Sequence, residues 1–362
     1  MINRIRALKK SFNKELDGYV IINQPNTLTN QAHMLYLADF SGGTALLVPK
    51  EGESTLYVYG VNYEAAKAEA RNCTPELIKR GKDVVKMLAD QVKHLKLKKL
   101  GYDLMAIQSY EKIAKSIGNA TKLVAKSDLI WNLRRVKDEY ELKLIRTAGQ
   151  LTTEGMRAAC NNIKTGYLEF EVAAEIEYEM RKRGSDGLAF ETQVASGPRS
   201  AYPHGGCGER KLKNGDLVVV DIGAIFKNYR ADMSRTFVVG KPSAKQQKIF
   251  AIVNKAEEEA FQKITDGSKA SEVDATARNI IKRAGYGEHF VHGLGHGVGL
   301  ETHEQPVLNP TSKDSLRVGN VVTDEPGIYL IGFGGFRVED TVLVCRNRSE
   351  RLTSGFDSLN VQ

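Results

Sequence analysis

Two stretches of this 362-residue chain repeat one pattern of glycines and acids, and the repetition limits what the chain can fold into. NGDLVVVDIGAIF, residues 214–226, aligns without gaps on VGNVVTDEPGIYL, residues 318–330. Gly215 matches Gly319, Asp221 matches Glu325 and Gly223 matches Gly327, each pair 104 positions apart. Downstream, YRADMSRTFVV aligns with FRVEDTVLVC, placing Arg230 on Arg337 and Asp232 on Glu339, now 107 apart, so the second turn is three residues longer. Each copy reads as a strand, a turn and a returning strand, with one carboxylate on each arm.

A hairpin turning at Lys227 to Tyr229 would fold Asp221 against Asp232. Directly opposed side chains in such a pair have Cβ atoms about 4.5–5.5 Å apart. Two carboxylates at that range repel unless one is protonated or a cation lies between them. Glu325 and Glu339 pose the same problem. If the copies pack about a pseudo-twofold axis, four acids converge on one point, too much negative charge to bury without metal. Two divalent ions about 3.5–4 Å apart, bridged by carboxylates and a water, would neutralise them.

The run HGLGHGVGLETHE, residues 292–304, supplies nitrogen ligands, and four of the seven histidines fall between 289 and 303. HxxxH usually suggests one face of a zinc-binding helix. Here the glutamate of HExxH is missing, and the four glycines would each penalise a helix by about 1 kcal/mol. On a strand, His292 and His296 share a face about 13 Å apart and cannot both ligate one ion. One is available as a ligand and the other acts further along the cleft, with glycines allowing close approach of backbone or substrate.

Around this core the chain reads as two domains. Residues 1–126 alternate short β-rich runs (YVIIN, TALLV, TLYVY, KLGYD, TKLVA) with helical spacing in NYEAAKAEA and PELIKRGKDVVKMLADQVKHL, which predicts a small α/β domain. Residues 127–362 open with helices, including a long one that has Asp138 and Glu139 near its positive end. Runs of strands separated by helical blocks at 243–264 and 271–284 follow, an α+β pattern. Hydrophobic residues at 41% suffice for such cores. No apolar stretch approaches the roughly 20 residues of a membrane span, and the basic start lacks the apolar segment of a secretory signal. The four cysteines are scattered without a CxxC pair and read as reduced thiols of a cytoplasmic protein. The formal charge of +8 is spread along the chain among acids, which argues against nucleic acid as a partner.

DIGA with RADMSRT, GLGHGVGLETHE, TDEPGIYL and GFRVEDT together resemble the pita-bread metallopeptidases, specifically their proline-specific branch of prolidases and Xaa-Pro aminopeptidases. ASGPRSAYPHG, residues 195–205, resembles that branch's substrate-histidine segment, and HMLYLADFSGG, residues 33–43, its creatinase-like amino-terminal domain. The resemblance implies a dinuclear site on Asp221, Asp232, His296, Glu325 and Glu339, with the second acid of each pair bridging. It places His204, His292 and His303 on the substrate side, and Arg337 as the residue holding the ligand shell. It further implies Mn²⁺ or Co²⁺, with Zn²⁺ possible, a homodimer, a cytoplasmic setting, and proline-containing dipeptides or short peptides as substrates. The ligand set independently favours a carboxylate-seeking ion such as Mn²⁺. The implied reaction is hydrolysis of the bond preceding proline by a metal-activated water, with Glu325 as the assisting base and His292 or His204 helping the metal to stabilise the oxyanion.

Three positions depart from the family pattern. Asp324 stands where relatives usually carry an aliphatic residue; on a strand it should face away from Glu325. Val307 occupies a slot where some prolidases have an arginine suited to a dipeptide's carboxylate, which keeps the aminopeptidase reading open. LADFSGG replaces LTGFSG in the amino-terminal domain. Cys207 has no partner spacing and reads as a structural thiol. The competing readings are an inactive binding or chaperone module, whose members lose ligands, and a metal-independent creatinase-like hydrolase, which would not need both acid pairs.

Overall fold

The computed structural model describes residues 3–23 and 28–361, and the chain divides into two compact units, Met1–Arg134 and Arg135–Gln362. In the first, strands β1 (Gly18–Ile22), β2 (Ala45–Pro49), β3 (Thr55–Tyr59), β4 (Thr74–Ile78), β5 (Lys99–Tyr102) and β6 (Lys122–Ala125) form one sheet in the order β4-β3-β2-β1-β5-β6. β3, β2 and β1 run antiparallel, each to the next, and β4 on one side and β5 and β6 on the other join in parallel. β1 and β2 are buried along their whole length, which explains why GYVII and ALLVP are continuous apolar runs rather than alternating ones. Helices α1 (Arg4–Ser11), α2 (Leu28–Ala38), α3 (Gly60–Glu69), α4 (Val84–His94), α5 (Ile107–Ile117) and α6 (Asp128–Arg134) complete the unit.

Two sequence expectations change here. The stretch PELIKRGKDVVKMLADQVKHL is not helical throughout: its first residues belong to β4, and α4 begins only at Val84, where the Asp83 side chain accepts from the Val85 amide. Five residues of an edge strand are too few for apolar spacing to separate a period of 2 from one of 3.6. The first unit also continues to Arg134 instead of ending at 126, because α6 stays with it. Arg134 Nη1 donates to His33 Nδ1 at 2.9 Å, and His33 Nε2 in turn donates to Asp103 at 2.7 Å. A guanidinium can only donate, so the His33 proton sits on Nε2.

The second unit is built twice over. Its first copy pairs β9 (Leu217–Ile222) with β12 (Met233–Val238) and with β8 (Gln193–Ser196). Helices α7 (Glu139–Asn162) and α8 (Glu169–Lys182) back it through a core that includes Met156, Ile176, Val218 and Phe237. A capping box between Asp138 and Glu141 starts α7 where the sequence places acids. The short strands β7 (Gly187–Leu188), β10 (Ala224–Phe226) and β11 (Tyr229–Arg230) form a side sheet.

The second copy pairs β15 (Val321–Asp324) with β18 (Asp340–Val344), inside a five-stranded sheet with β13 (Gly295–Gly297), β14 (Glu304–Leu308) and β19 (Ser349–Arg351). Its hairpin continues as β16 (Gly327–Leu330) and β17 (Gly334–Arg337), and helices α9 (Ala244–Phe261) and α10 (Ala270–Arg283) back it through Val253, Val273, Val322 and Val342. Two helices behind two strands, repeated, is the pita-bread arrangement, and the class is α+β with an α/β unit before it.

The register corrects one expectation. Asp221 lies opposite Ser234 rather than Asp232, so the first pair of acids is diagonal, two positions apart along β12. In the second copy Asp324 lies opposite Asp340, so Glu325 and Glu339 follow as opposed neighbours. The copies join where the Glu339 amide donates to the Ser234 carbonyl at 3.0 Å. On either side the threonines are exchanged. Thr341 Oγ1 of the second copy takes up both backbone groups of Asp232, and Thr236 Oγ1 of the first does the same for Arg337.

Gly149 shows how tightly α7 is seated: a Cβ there would lie 2.1 Å from the Leu352 carbonyl oxygen. In an exposed helix, Gly→Ala gains about 1 kcal/mol. Here the overlap is with backbone, so Gly149→Ala should instead destabilise the catalytic unit by about 1–3 kcal/mol. The check is the midpoint of chemical denaturation, which should fall.

Candidate metal centre

The strand ends and the glycine-rich run meet at one point. Asp232, just before β12, Glu339, just before β18, and His296 on β13 bring one ligand atom each to within 4.8 Å of one another. His296 Nδ1 donates to the Gly297 carbonyl at 3.1 Å, which turns Nε2 towards the acids as the nitrogen that could ligate an ion. That nitrogen is 3.3 Å from Glu325 Oε1 and 3.8 Å from Asp232 Oδ2. Thr323 Oγ1 donates to Glu325 Oε1 at 3.1 Å and accepts the His296 amide at 3.0 Å, so one hydroxyl sets both.

Asp221, the acid of β9, turns Oδ2 to Arg337 Nη2 at 2.6 Å and to Gln193 Nε2 at 3.1 Å. Arg337 is buried and donates from all three of its nitrogens. Nε donates to Ser234 Oγ at 2.7 Å, and Nη1 donates to the Tyr329 hydroxyl at 3.0 Å and to the Pro203 carbonyl at 3.1 Å. Ser234 passes its proton to Glu339 Oε2 at 2.6 Å. Tyr329 donates to His292 Nε2 at 2.9 Å, because His292 Nδ1 is already donating to the Gly293 carbonyl at 2.7 Å. One guanidinium thus ties together an acid from each copy, the loop carrying His204 and the ring of His292.

Electrostatics show what the shell lacks. Burial first, and then the charges of Glu339, Asp221 and Glu325, push the Asp232 carboxyl well above the usual carboxylate range. Burial and then Glu325 do the same to Glu339. Burial raises Glu325 to about 8, against the pull of Arg337. The imidazoles move the other way: burial lowers His296 to about 3 and His292 to about 4, and burial followed by the nearby His204 lowers His303. They are neutral at pH 7, as ligands must be. Asp221 Oδ1 and Asp232 Oδ1 are buried without a hydrogen-bond partner. Buried oxygens are rarely left so, and oxygen donors with one imidazole fit a divalent cation of the Mn²⁺ type.

The His303 ring lies beside that of His296, tilted by 51° with ring centroids 4.2 Å apart. Arg230, the counterpart of Arg337, serves the turn before His303: its Nη1 donates to the Leu300 carbonyl and its amide to Gly299 O. Asp324 is buried on the opposite side of its strand from Glu325; burial, then the charge of Glu257, pushes its carboxyl well up. Val307 pairs across from His296. Cys207 donates to the Thr192 carbonyl at 2.9 Å, and burial raises its thiol to about 11, which makes it a structural group. Sequence reasoning missed Tyr329, Ser234 and Thr323. Tyr329 was within reach, since alternation from Glu325 through Gly327 puts it on the same face; the two hydroxyls carry no signal that distinguishes them from ordinary strand residues.

A shell of acids that only a cation can neutralise, with neutral imidazoles along one edge, defines a metal-dependent hydrolase. The chain belongs to metallopeptidase family M24, whose model matches residues 143–346, and the creatinase/prolidase N-terminal domain matches residues 4–136. The Xaa-Pro dipeptidase of Pyrococcus horikoshii is 40% identical over 339 residues, covering 93% of each chain. Among solved structures, the Xaa-Pro dipeptidase from Bacillus anthracis superposes with a TM-score of 0.92 at 33% identity over 99% of both chains. The X-Pro aminopeptidase from Thermotoga maritima gives 0.89 at 33%, over 98% of this chain and 99% of that one. Membership implies divalent metal ions. Among the described residues no helix is long and apolar enough to cross a membrane.

The carboxyl shifts give stability a sign. Between pH 7.5 and 8.5 the imidazoles are almost entirely neutral both folded and unfolded, whereas Glu325 loses its proton at about 8 when folded and near 4.5 when unfolded. The folded state binds more protons, so metal-free stability falls as pH rises through that window. The melting temperature of metal-free protein should therefore drop from pH 7.5 to 8.5, and Mn²⁺ should raise it more at pH 8.5 than at 7.5. Calorimetry showing the reverse slope, or equal Mn²⁺ shifts, would contradict this account.

Proposed function

We propose that the chain is a metal-dependent peptidase that cleaves the bond before proline in dipeptides or short peptides. The observation that carries this reading is the convergence of Asp232, His296 and Glu339 beside Glu325 and Asp221, with buried oxygens lacking partners. The named relatives add the substrate class, since their described actions are on Xaa-Pro.

In this reading Asp221, Asp232, His296, Glu325 and Glu339 hold two divalent ions. Such a pair supplies a water of lowered pKa and polarises the scissile carbonyl. Glu325 takes the water's proton on a carboxylate oxygen and delivers it to the departing proline nitrogen. Both ring nitrogens of His292 are engaged, by Gly293 and by Tyr329, so it positions Tyr329 and Arg337. That leaves His204 as the donor towards the carbonyl oxygen, and His303 lines the substrate side. Arg337 keeps Asp221 turned so that its second oxygen stays available. Mn²⁺ is the favoured metal on donor chemistry, with Co²⁺ or Zn²⁺ as substitutes. The homodimer and the cytoplasmic setting rest on family resemblance alone. Val307 brings no cation to hold a dipeptide's carboxylate, which supports activity on peptides longer than two residues as well.

Assays with Ala-Pro, Gly-Pro and Ala-Pro-Phe test this directly. Hydrolysis should require Mn²⁺, vanish with chelator and return on readdition, and Glu339→Gln should lower kcat/KM by roughly 1,000-fold. Turnover indifferent to chelator would discard the metal mechanism, and metal binding without any turnover would favour a binding module.

A further inference from the structure

The turn that carries His303 is wrapped around a buried carboxylate. Glu304 Oε1 accepts the Glu301 amide at 3.1 Å, and Oε2 accepts Lys137 Nζ at 3.2 Å. Both side chains of this ion pair are 1% exposed. The glycine at 299 makes room for it: a Cβ there would lie 2.7 Å from Glu304 Oε2 and 2.9 Å from Oε1. Part of the glycine run therefore lets the chain close on its own glutamate, not on substrate. Lys137 is anchored in turn, its amide donating to the Gly319 carbonyl at 2.8 Å, directly ahead of the Asp138 cap of α7.

We propose that Lys137 and Glu304 are a positioning pair for His303, an assignment that rests on the peptidase reading above. Glu304 follows His303 in the chain, and the turn around its carboxylate sets where the His303 ring lies against His296. Lys137 is a counterion of that carboxylate in the interior, and breaking a buried ion pair by removing one member is strongly unfavourable. Without the lysine, Glu304 leaves the turn, the Glu301 amide loses its acceptor and His303 drifts from the substrate. His296, although β13 also pairs with β14, is held from its other side by Thr323 Oγ1 and by the pairing of β13 with β15, so metal binding survives.

The test compares Lys137→Met, Glu304→Gln and the double variant with wild type. Lys137→Met should raise KM for Ala-Pro at least about tenfold while kcat changes less than threefold and Mn²⁺ stoichiometry is kept. The double variant, in which a neutral carboxamide can still accept the Glu301 amide, should return KM to within threefold of wild type. Hydrogen exchange of residues 297–304, measured on the same proteins without substrate, should quicken in Lys137→Met and recover in the double variant. Wild-type KM in a Lys137→Met protein of lowered melting temperature would reduce the pair to a structural role and overturn the proposal. So would a double variant as impaired as the single. Wild-type protein without turnover would instead sink the peptidase reading, and the exchange measurement would still decide whether the pair holds the turn.

Discussion

Four like charges brought to one buried point are what the catalytic unit is organised to sustain. Each of Asp232, Glu325 and Glu339 is displaced towards its protonated form, first by burial and then by neighbouring charges. Hydrogen bonds alone do not remove that cost, and among the described residues the guanidinium seen to compensate it is that of Arg337. Arg337 meets the acids of both copies, directly at Asp221 and through Ser234 at Glu339. What remains is negative and undercoordinated, which is the condition for holding a cation tightly.

Duplication explains why the compensation is unequal. Arg337 and Arg230 occupy equivalent places in the repeat, yet one binds ligand acids and the other braces the turn before His303. The same divergence shows behind the site. Asp324 and Asp340 stand opposite each other in the second copy, where the matching positions of the first are Val220 and Met233. Arg235 answers them from the first copy, holding Asp340 with both arms of its carboxylate and also the Glu339 carbonyl. The hairpins share a plan, but their charges are balanced by each other.

Much of this was legible in the residues. The gapless alignment of two glycine-acid strands exposed the repeat, and the impossibility of burying four unpaired carboxylates pointed to metal before any coordinates. The register of the first hairpin was not legible, because a short turn at Lys227 and Asn228, both with positive φ, shifts the pairing by an amount that composition does not reveal. The β4 strand was hidden for a related reason, since five edge residues do not display a period. The tie between Lys137 and Glu304 was invisible because the partners are 167 positions apart and only the closed turn brings them together.

The seam between the copies has one more consequence. The backbone around Asp232 is completed by Thr341, and that around Arg337 by Thr236, each from the opposite repeat. A polypeptide severed between β12 and α9 would thus yield one fragment with Asp221 and Asp232 and another with His296, Glu325 and Glu339, each with main-chain groups left wanting at its most critical residues. Such halves could regain a complete centre only by reassociating, which makes the unit indivisible in chemistry even though it is double in form.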